Sequence, residues 1–325
     1  MSDLDLLDRK LCNVLQSRFP LTERPYDDMG KELSISQEEA LERVKSLKRR
    51  HIVRQISAIF DTRRLGYRST LVAMRYPKEG LAKGAKIINK HPGVSHNYER
   101  DHRYNLWFTL AVPPNGSLED TVQDMALKSG AEAYAILPTV RFFKIGVNFD
   151  MVEGEGASYE GIQDGAPQVE SFSPFEIRCI QELQEDLSVE PEPFKAMADR
   201  LGITQAHLFD IANDFIQRKV MRRFSAVLYH RKAGFMFNAM AVWQVPEEQA
   251  EAVGKIMASS PAVSHCYQRP SYPDWPYTHF TMVHGTSKEQ CERAIKDIAA
   301  KTGIKDYAFL YSLREFKKTR VRYFV

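Results

Sequence analysis

The sequence predicts an α+β protein made by tandem duplication, each copy a winged helix-turn-helix followed by a ferredoxin-like βαββαβ domain. Three observations predict it. Apolar residues at helical spacing open each half, alternating apolar runs follow them, and the same landmarks return in the same order. Ser57-Ala58-Ile59-Phe60 and then Arg63-Arg64-Leu65-Gly66-Tyr67 return as Ser225-Ala226-Val227-Leu228 and Arg231-Lys232-Ala233-Gly234-Phe235. The run from Pro92 to Arg100, PGVSHNYER, returns from Pro261 to Arg269 as PAVSHCYQR. Lys128-Ser129-Gly130 with Tyr134, and Arg141-Phe142-Phe143-Lys144, return as Lys301-Thr302-Gly303 with Tyr307, and Arg314-Glu315-Phe316-Lys317. Between the copies, residues 151–170 are rich in Gly and Glu and read as a flexible linker. The expected divisions are 1–62 and 63–150 for the first helical and α/β units, 151–170 for the linker, and 171–230 and 231–325 for the second pair.

In the first helical unit, Leu4, Leu7, Leu11 and Leu15 share one helical face, and Met29 and Leu33 mark a short second helix. The turn Leu33-Ser34-Ile35-Ser36 leads into a third helix, with Ser36 and Glu39 spaced as a capping box and Ala40, Leu41, Val44 and Leu47 as its buried face. The second unit repeats the plan with Ile180, Leu183 and Leu187, then Met197 and Leu201, then Leu208, Ile211 and Phe215. Extended wings follow at 52–60 and 220–228. A DNA-reading helix needs exposed donors. The third helix begins Gln37-Glu38-Glu39, and its counterpart carries Asp210 and Asp214 with cations only at its end. Such charges suit the helix dipole and repel phosphate, so operator binding is disfavoured and a packing role favoured.

In the first α/β unit, strands are expected at 69–76, 94–100, 104–112 and 134–144, with helices at 80–90 and 118–128; the second unit repeats this order across 237–317. The second strand carries the chemistry. Side chains alternate faces, so His96, Tyr98 and Arg100 form one row, and His265, Tyr267 and Arg269 form its copy. Such a row is a poor apolar core and a good lining for an anion: Arg grips a carboxylate, Tyr donates a neutral hydrogen bond, and His carries a proton or ligates a metal. The alternative is a solvated face. Arg141 with Lys144, and Arg314 with Lys317, lie three apart on the last strands, so at most one of each pair can join the row's side unless a bulge intervenes. The loop from Pro270 to Thr281, with Trp275, offers either a stacking face for a flat ligand or a packed hairpin end. The copies also differ where Thr278 and His279 stand near the positions of Leu106 and Trp107, which raises the expectation of one active pocket out of two.

Length and composition set outer bounds. With 325 residues, 43% hydrophobic and 27% charged, the chain has the make-up of several globular domains, and a net charge of +3 is no nucleic-acid signal. Cys12, Cys179, Cys266 and Cys291 show no metal-binding spacing and read as reduced thiols. No apolar run approaches the roughly 18 residues of a membrane span, and the acidic start lacks a signal core. A cytoplasmic location without membrane partners is expected.

The helix-turn-helix and ferredoxin-like plan, with LDLLDRKLCNVLQ at the start and TRRLGY after the wing, resembles the Lrp/AsnC transcription regulators. The segments GVSHNYERDHRYNLWFTL and VSHCYQRPSYPDWPYTHFTMVHG resemble, more specifically, the siroheme decarboxylases of the alternative haem and haem d1 pathways, which share the regulator fold and pair related subunits. The resemblance covers nearly the whole chain and makes it look like a fusion of two such subunits. It implies loss of the acetate carboxylates at ring positions 12 and 18 of siroheme, giving 12,18-didecarboxysiroheme. It implies no added cofactor and no protein metal, since the macrocycle delocalises the developing charge and its iron belongs to the substrate. His96 and His265 are then placed as proton donors or as ligands to that iron. Tyr98, Arg100, Tyr267 and Arg269 are placed as carboxylate contacts, with His102, Arg141, Lys144, Arg314, Lys317 and Trp275 as further substrate contacts. A regulator sensing a small molecule, or a tetrapyrrole carrier without chemistry, are the alternatives. The family's dimer contact is either met internally by the fused halves or repeated in a homodimer.

Overall fold

A computed structural model of the chain describes residues 4–149, 157–159, 168–228, 237–285 and 287–325. The first half runs α1 (Leu6–Ser17), α2 (Pro25–Leu33), α3 (Gln37–Arg49), β1 (Val53–Phe60), β2 (Arg68–Arg75), α4 (Lys78–Ile88), β3 (Val94–Arg100), β4 (Leu106–Val112), α5 (Leu118–Ser129), β5 (Ala133–Pro138), β6 (Arg141–Phe149) and β7 (Ala157–Tyr159). The second runs α6 (Pro174–Leu183), α7 (Lys195–Leu201), α8 (Gln205–Gln217), β8 (Met221–Leu228), β9 (Phe237–Trp243), α9 (Ala250–Ser259), β10 (Val263–Gln268), β11 (His279–Gly285), α10 (Lys288–Thr302) and β12 (Tyr307–Lys318). Helices α1, α3, α5, α6, α8 and α10 begin at side-chain caps. Ser36 Oγ accepts from the Glu39 amide at 3.2 Å, whereas the Glu39 carboxylate turns to Arg43, so only half of the expected box forms. The full reciprocal box stands at Ser173 and Glu176. Gly130 and Gly303 close α5 and α10 in the left-handed conformation that only glycine adopts without penalty.

The two wings pair with each other rather than standing apart. β1 and β8 form an antiparallel ribbon in which Ser57 lies opposite Ser225, the same residue of each copy. A pseudo-two-fold axis therefore passes between these serines. Both helix-turn-helix units pack on the ribbon in one apolar core, with Phe19, Phe60, Phe194, Phe215 and Phe224 from the two copies in common.

The α/β units are interlocked as well. β5-β2-β4-β3 and the first part of β12 with β9-β11-β10 are the two four-stranded ferredoxin-like sheets. The expected single strand at 134–144 breaks at Thr139–Val140. β5 stays on its own sheet beside β2, whereas β6 crosses to β10 of the other copy. In the second copy the strand stays continuous: Tyr307–Tyr311 pairs with β9, and Ser312–Lys318 pairs with β3 of the first copy. Each copy thus completes the other's sheet. The remaining apolar sheet faces meet in a core that joins Trp107 and Leu137 of one copy to Trp275 and Phe280 of the other. Helices cover the outer faces, α4 and α5 over one sheet and α9 and α10 over the other.

The exchange is clamped at helix ends. Lys144 Nζ on β6 donates to Ser260 O at 2.7 Å, just beyond α9, and Lys317 Nζ on β12 donates to Asn89 O at 2.9 Å, just beyond α4. A cation at a helix C-terminus meets unpaired carbonyls and the negative dipole end. The α9 clamp also needs a glycine, because a Cβ at Gly254 would stand 2.3 Å from the Phe143 ring of the crossing strand. The chain's last residues do not stay with the α/β unit, since Tyr323 and Phe324 return to the helical core. Of the expected linker, residues 157–159 pair with β6 and 168–170 are described, while 151–156 and 160–167 lie outside the described residues. Among the described residues no helix is long and apolar enough to cross a membrane.

Gly254→Val is expected to destabilise the protein by about 1–3 kcal/mol through overpacking against Phe143. The measurement is the urea midpoint; an unchanged midpoint would mean that the crossing strand does not bear on α9.

Candidate active site

Because β3 and β10 are related by the pseudo-two-fold axis, their rows face one space instead of two. His96, Tyr98, Arg100, His265, Tyr267 and Arg269 all line a single cavity of about 710 Å³, roofed by the wing ribbon and walled by both sheets. The expectation of two pockets with one active is thereby corrected: the exchange of terminal strands merges them.

The rows are built alike. Ser95 Oγ lies 3.0 Å from His96 Nδ1, and Ser264 Oγ lies 2.9 Å from His265 Nδ1. Each serine engages one ring nitrogen, and among the described residues Nε2 of either imidazole has no hydrogen-bond partner. The Arg100 guanidinium lies 5.6 Å over the Tyr98 ring and that of Arg269 lies 5.0 Å over Tyr267. Arg100 Nη1 donates to Leu310 O at 2.9 Å and Ser312 Oγ at 3.1 Å. Arg269 Nη1 donates to the matching pair, Leu137 O and Thr139 Oγ1. Their Nε atoms are buried without a partner, and among the described residues neither guanidinium has a carboxylate within ion-pair distance. A buried cation without a counter-ion is costly. Two in one cavity describe a site for an anionic ligand.

Burial dominates the titration of these groups. It pushes His96 and His265 down to about 4, with Lys318 adding to the effect at His96 and His284 at His265. It lowers Arg100 and Arg269 to about 10, which leaves both fully charged at neutral pH, and it raises Tyr267 to about 12. Tyr98 is raised by the same cause, reinforced by Glu315. The cavity therefore holds fixed cations, neutral imidazoles and neutral phenols.

The other expected contacts lie elsewhere. Lys144 and Lys317 are the helix clamps, Arg141 pairs with Glu251 at 3.3 Å on the surface, and Arg314 is exposed over the Phe316 ring. Neither member of either pair lines the cavity: the crossing strands turn Arg141, Lys144 and Lys317 toward the helices of the other copy, and Arg314 faces solvent. His102 packs edge-on to Trp275 at 5.3 Å and accepts from the Tyr104 amide. Trp275 is fully buried in the core between the sheets, so the Pro270–Thr281 loop is a packed hairpin end. His279 is the structural counterpart of Leu106, since they lie opposite Trp243 and Met74 at matching places. It bonds Ala250 O on the helix side, away from the cavity.

The cavity also takes residues that the strand pattern did not flag. Arg54, Arg222 and Arg223 come from the wings, His284 from β11, and Lys318 and Arg320 from the end of β12 and the segment after it. Arg54 pairs with Glu315 at 3.1 Å and Arg222 with Asp61 at 2.8 Å. Nothing local marked them in the sequence: Arg54 stands alone in the first wing, and Arg222 and Arg223 are adjacent in the second, so no periodicity assigned them to one face. Among the described residues no group of His, Cys, Asp and Glu could hold a metal ion.

The comparisons agree with this architecture. The model for an AsnC-like ligand-binding domain matches residues 64–144 and 232–317, and that for a siroheme decarboxylase NirDL-like helix-turn-helix domain matches 8–54 and 176–222. A siroheme decarboxylase of Hydrogenobacter thermophilus is 39% identical over 97% of this chain and 94% of its own length. The chain belongs to the siroheme decarboxylase family. The siroheme decarboxylase beta subunit of Methanosarcina barkeri is 46% identical over 45% of the chain and 97% of its own length, so one copy here corresponds to one subunit there. The crystal structure of the siroheme decarboxylase NirDL in complex with an iron-uroporphyrin III analogue superposes with a TM-score of 0.75 at 33% identity, covering 98% of this chain and 95% of that one.

The histidines set a pH dependence. His96, His265 and His284 each bind a proton more weakly when folded, at about 4 against the ordinary 6.5. As pH falls through that window the unfolded chain takes up protons first, so stability is full above about 6.5 and declines toward 4. The urea midpoint of the ligand-free protein is expected to fall between pH 7.5 and pH 5, and to fall less in the triple His→Asn variant; equal slopes would refute the assignment.

Proposed function

We propose that the protein decarboxylates siroheme within this cavity, removing the acetate carboxylates at ring positions 12 and 18 to give 12,18-didecarboxysiroheme. The observation that carries the reading is the convergence of both His-Tyr-Arg rows on one cavity whose buried guanidinium groups have no protein carboxylate. Siroheme supplies the missing charges, and its flat macrocycle suits a space walled by two sheets. The cavity volume of about 710 Å³ lies in the upper part of the range of small-molecule sites, about 300–1,000 Å³.

Arg100 and Arg269, already anchored through Nη1, orient their remaining donors by fixed geometry and hold peripheral carboxylates as charge-assisted pairs. Tyr98 and Tyr267 stay neutral and donate without adding charge. In the reaction the bond between methylene carbon and carboxylate breaks, CO2 leaves, and the electron pair spreads into the conjugated ring. A proton then joins the carbon, which becomes a methyl group. The macrocycle is the electron sink, so no further cofactor is assigned. His96 and His265 are the proton donors in this reading, through Nε2, because a serine engages Nδ1 in each. Burial alone keeps these imidazoles neutral at neutral pH. The carboxylates of the bound substrate raise their proton affinity, so the acid forms where the substrate is.

The helix-turn-helix units serve as scaffold. On α3, Arg43 pairs with Asp5, Asp8 and Glu39, Lys45 with Glu42, and Lys48 with Asp186, which leaves few cations for phosphates. The four cysteines are buried free thiols, which fits a reducing cytoplasm.

Anaerobic incubation with siroheme, followed by mass spectrometry, is expected to show loss of two CO2. Tight spectral binding with no mass change would instead make the protein a carrier. His96→Ala and His265→Ala are each expected to keep siroheme binding and to lower turnover by about 10²- to 10⁴-fold; undiminished turnover in either variant would remove that residue from the chemistry.

A further inference from the structure

The two rows are nearly equivalent, and a cavity with exact two-fold symmetry cannot distinguish two orientations of its ligand. Siroheme is not symmetric, so its orientation rests on residues that break the symmetry. Lys318 lies opposite His96 in the β12–β3 register, whereas the matching place opposite His265 is Ile145. His284 has Ala111 as its counterpart, and these lie opposite Asn238 and Ser69 at matching places. Glu315, beside Tyr98, has Phe142 as its counterpart, beside Tyr267.

The largest difference follows β12. In the first copy the chain continues as β6 and pairs with β7. In the second it leaves the sheet after Lys318 and becomes a strap, held at both ends. At one end the Thr319 amide donates to Ser95 O at 2.7 Å, next to His96. At the other, the side chain of Gln184 brackets the Tyr323 backbone, accepting from its amide at 2.8 Å and donating to its carbonyl at 3.1 Å. Tyr323 Oη and Thr62 Oγ1 lie 2.7 Å apart, and Tyr67 Oη accepts from the Phe324 amide at 2.7 Å. Between these anchors stands Arg320. It lines the cavity, its Nε is buried without a partner, and among the described residues it has no carboxylate within ion-pair distance. Its near neighbours include another cation, Arg223. In register its counterpart in the first copy is Val147, which carries no charge.

We infer that Arg320, fixed over the cavity by the C-terminal strap, is the residue that orients the substrate: it binds one peripheral carboxylate at the His96 end and so decides which acetate is lost first. The assignment rests on the siroheme decarboxylase reading. Arg320 acts by binding and needs no part in proton transfer.

The test compares wild type with Arg320→Gln, Arg320→Lys and the exposed control Arg314→Gln. Siroheme affinity is read from the Soret change, and the singly decarboxylated intermediates are separated by chromatography in single-turnover samples. Arg320→Gln is expected to weaken binding by about ten- to a hundredfold, the cost of a lost charged hydrogen bond, and to convert one dominant intermediate into a mixture of both regioisomers. Arg320→Lys should restore much of the affinity, which a mere folding role would not require, and Arg314→Gln should match wild type. If wild type decarboxylates siroheme while Arg320→Gln retains its affinity and its single intermediate, the assignment is overturned and the decarboxylase reading stands. If wild type leaves siroheme unchanged, both fall.

Discussion

The exchange of terminal strands between the two α/β halves is the constraint on which the remaining structure depends. β6 completes the sheet of the second copy and the end of β12 completes that of the first. Neither half can close its sheet alone, so the pseudo-two-fold relation is enforced by backbone hydrogen bonds, which buried strands cannot leave unmade. The antiparallel wing ribbon, with Ser57 against Ser225, applies the same relation to the helical units. A duplicated chain thereby behaves as a dimer whose partners cannot dissociate. Its two candidate rows are brought to one cavity, with no dependence on protein concentration.

Within that cavity, electrostatics and burial act against each other in a way that only a ligand resolves. Two anchored guanidiniums and the strap arginine retain their charge without protein carboxylates, while burial keeps the nearby histidines neutral. Stability is given up to keep the site open for anions. The same burial that disfavours imidazolium makes the proton affinity of His96 and His265 responsive to an incoming carboxylate, because charges interact strongly where water is excluded. Binding and acid formation are thus linked by the medium.

Duplication within one chain also permits what a symmetric homodimer cannot have. The copies keep the His-Tyr-Arg row and diverge around it, at Lys318, His284, Glu315 and the path of the chain after β12. A pseudo-symmetric frame with an asymmetric periphery suits a ligand whose reacting arms are alike and whose surroundings are not.

The sequence by itself determined the repeat, the order of elements in each unit and the His-Tyr-Arg rows, because these are local: periodicity sets which residues share a face, and a duplicated segment repeats its own pattern. The segments around His96 and His265 also carried the family resemblance. Only the tertiary structure decided that the rows share one cavity, since strand partners lie far apart in the chain and the period of a strand does not name its neighbour. The same gap explains Arg141, Lys144, Arg314 and Lys317. Their charges were visible, but the crossing of the strands turns Arg141, Lys144 and Lys317 toward helices of the opposite copy and leaves Arg314 in solvent. Trp275 read equally as a stacking face or as core, and inter-sheet packing decided for core. Arg54, Arg222 and Arg320 stood in a wing and a tail with no local mark of a site, and gained one only where long-range pairing folded them over the rows.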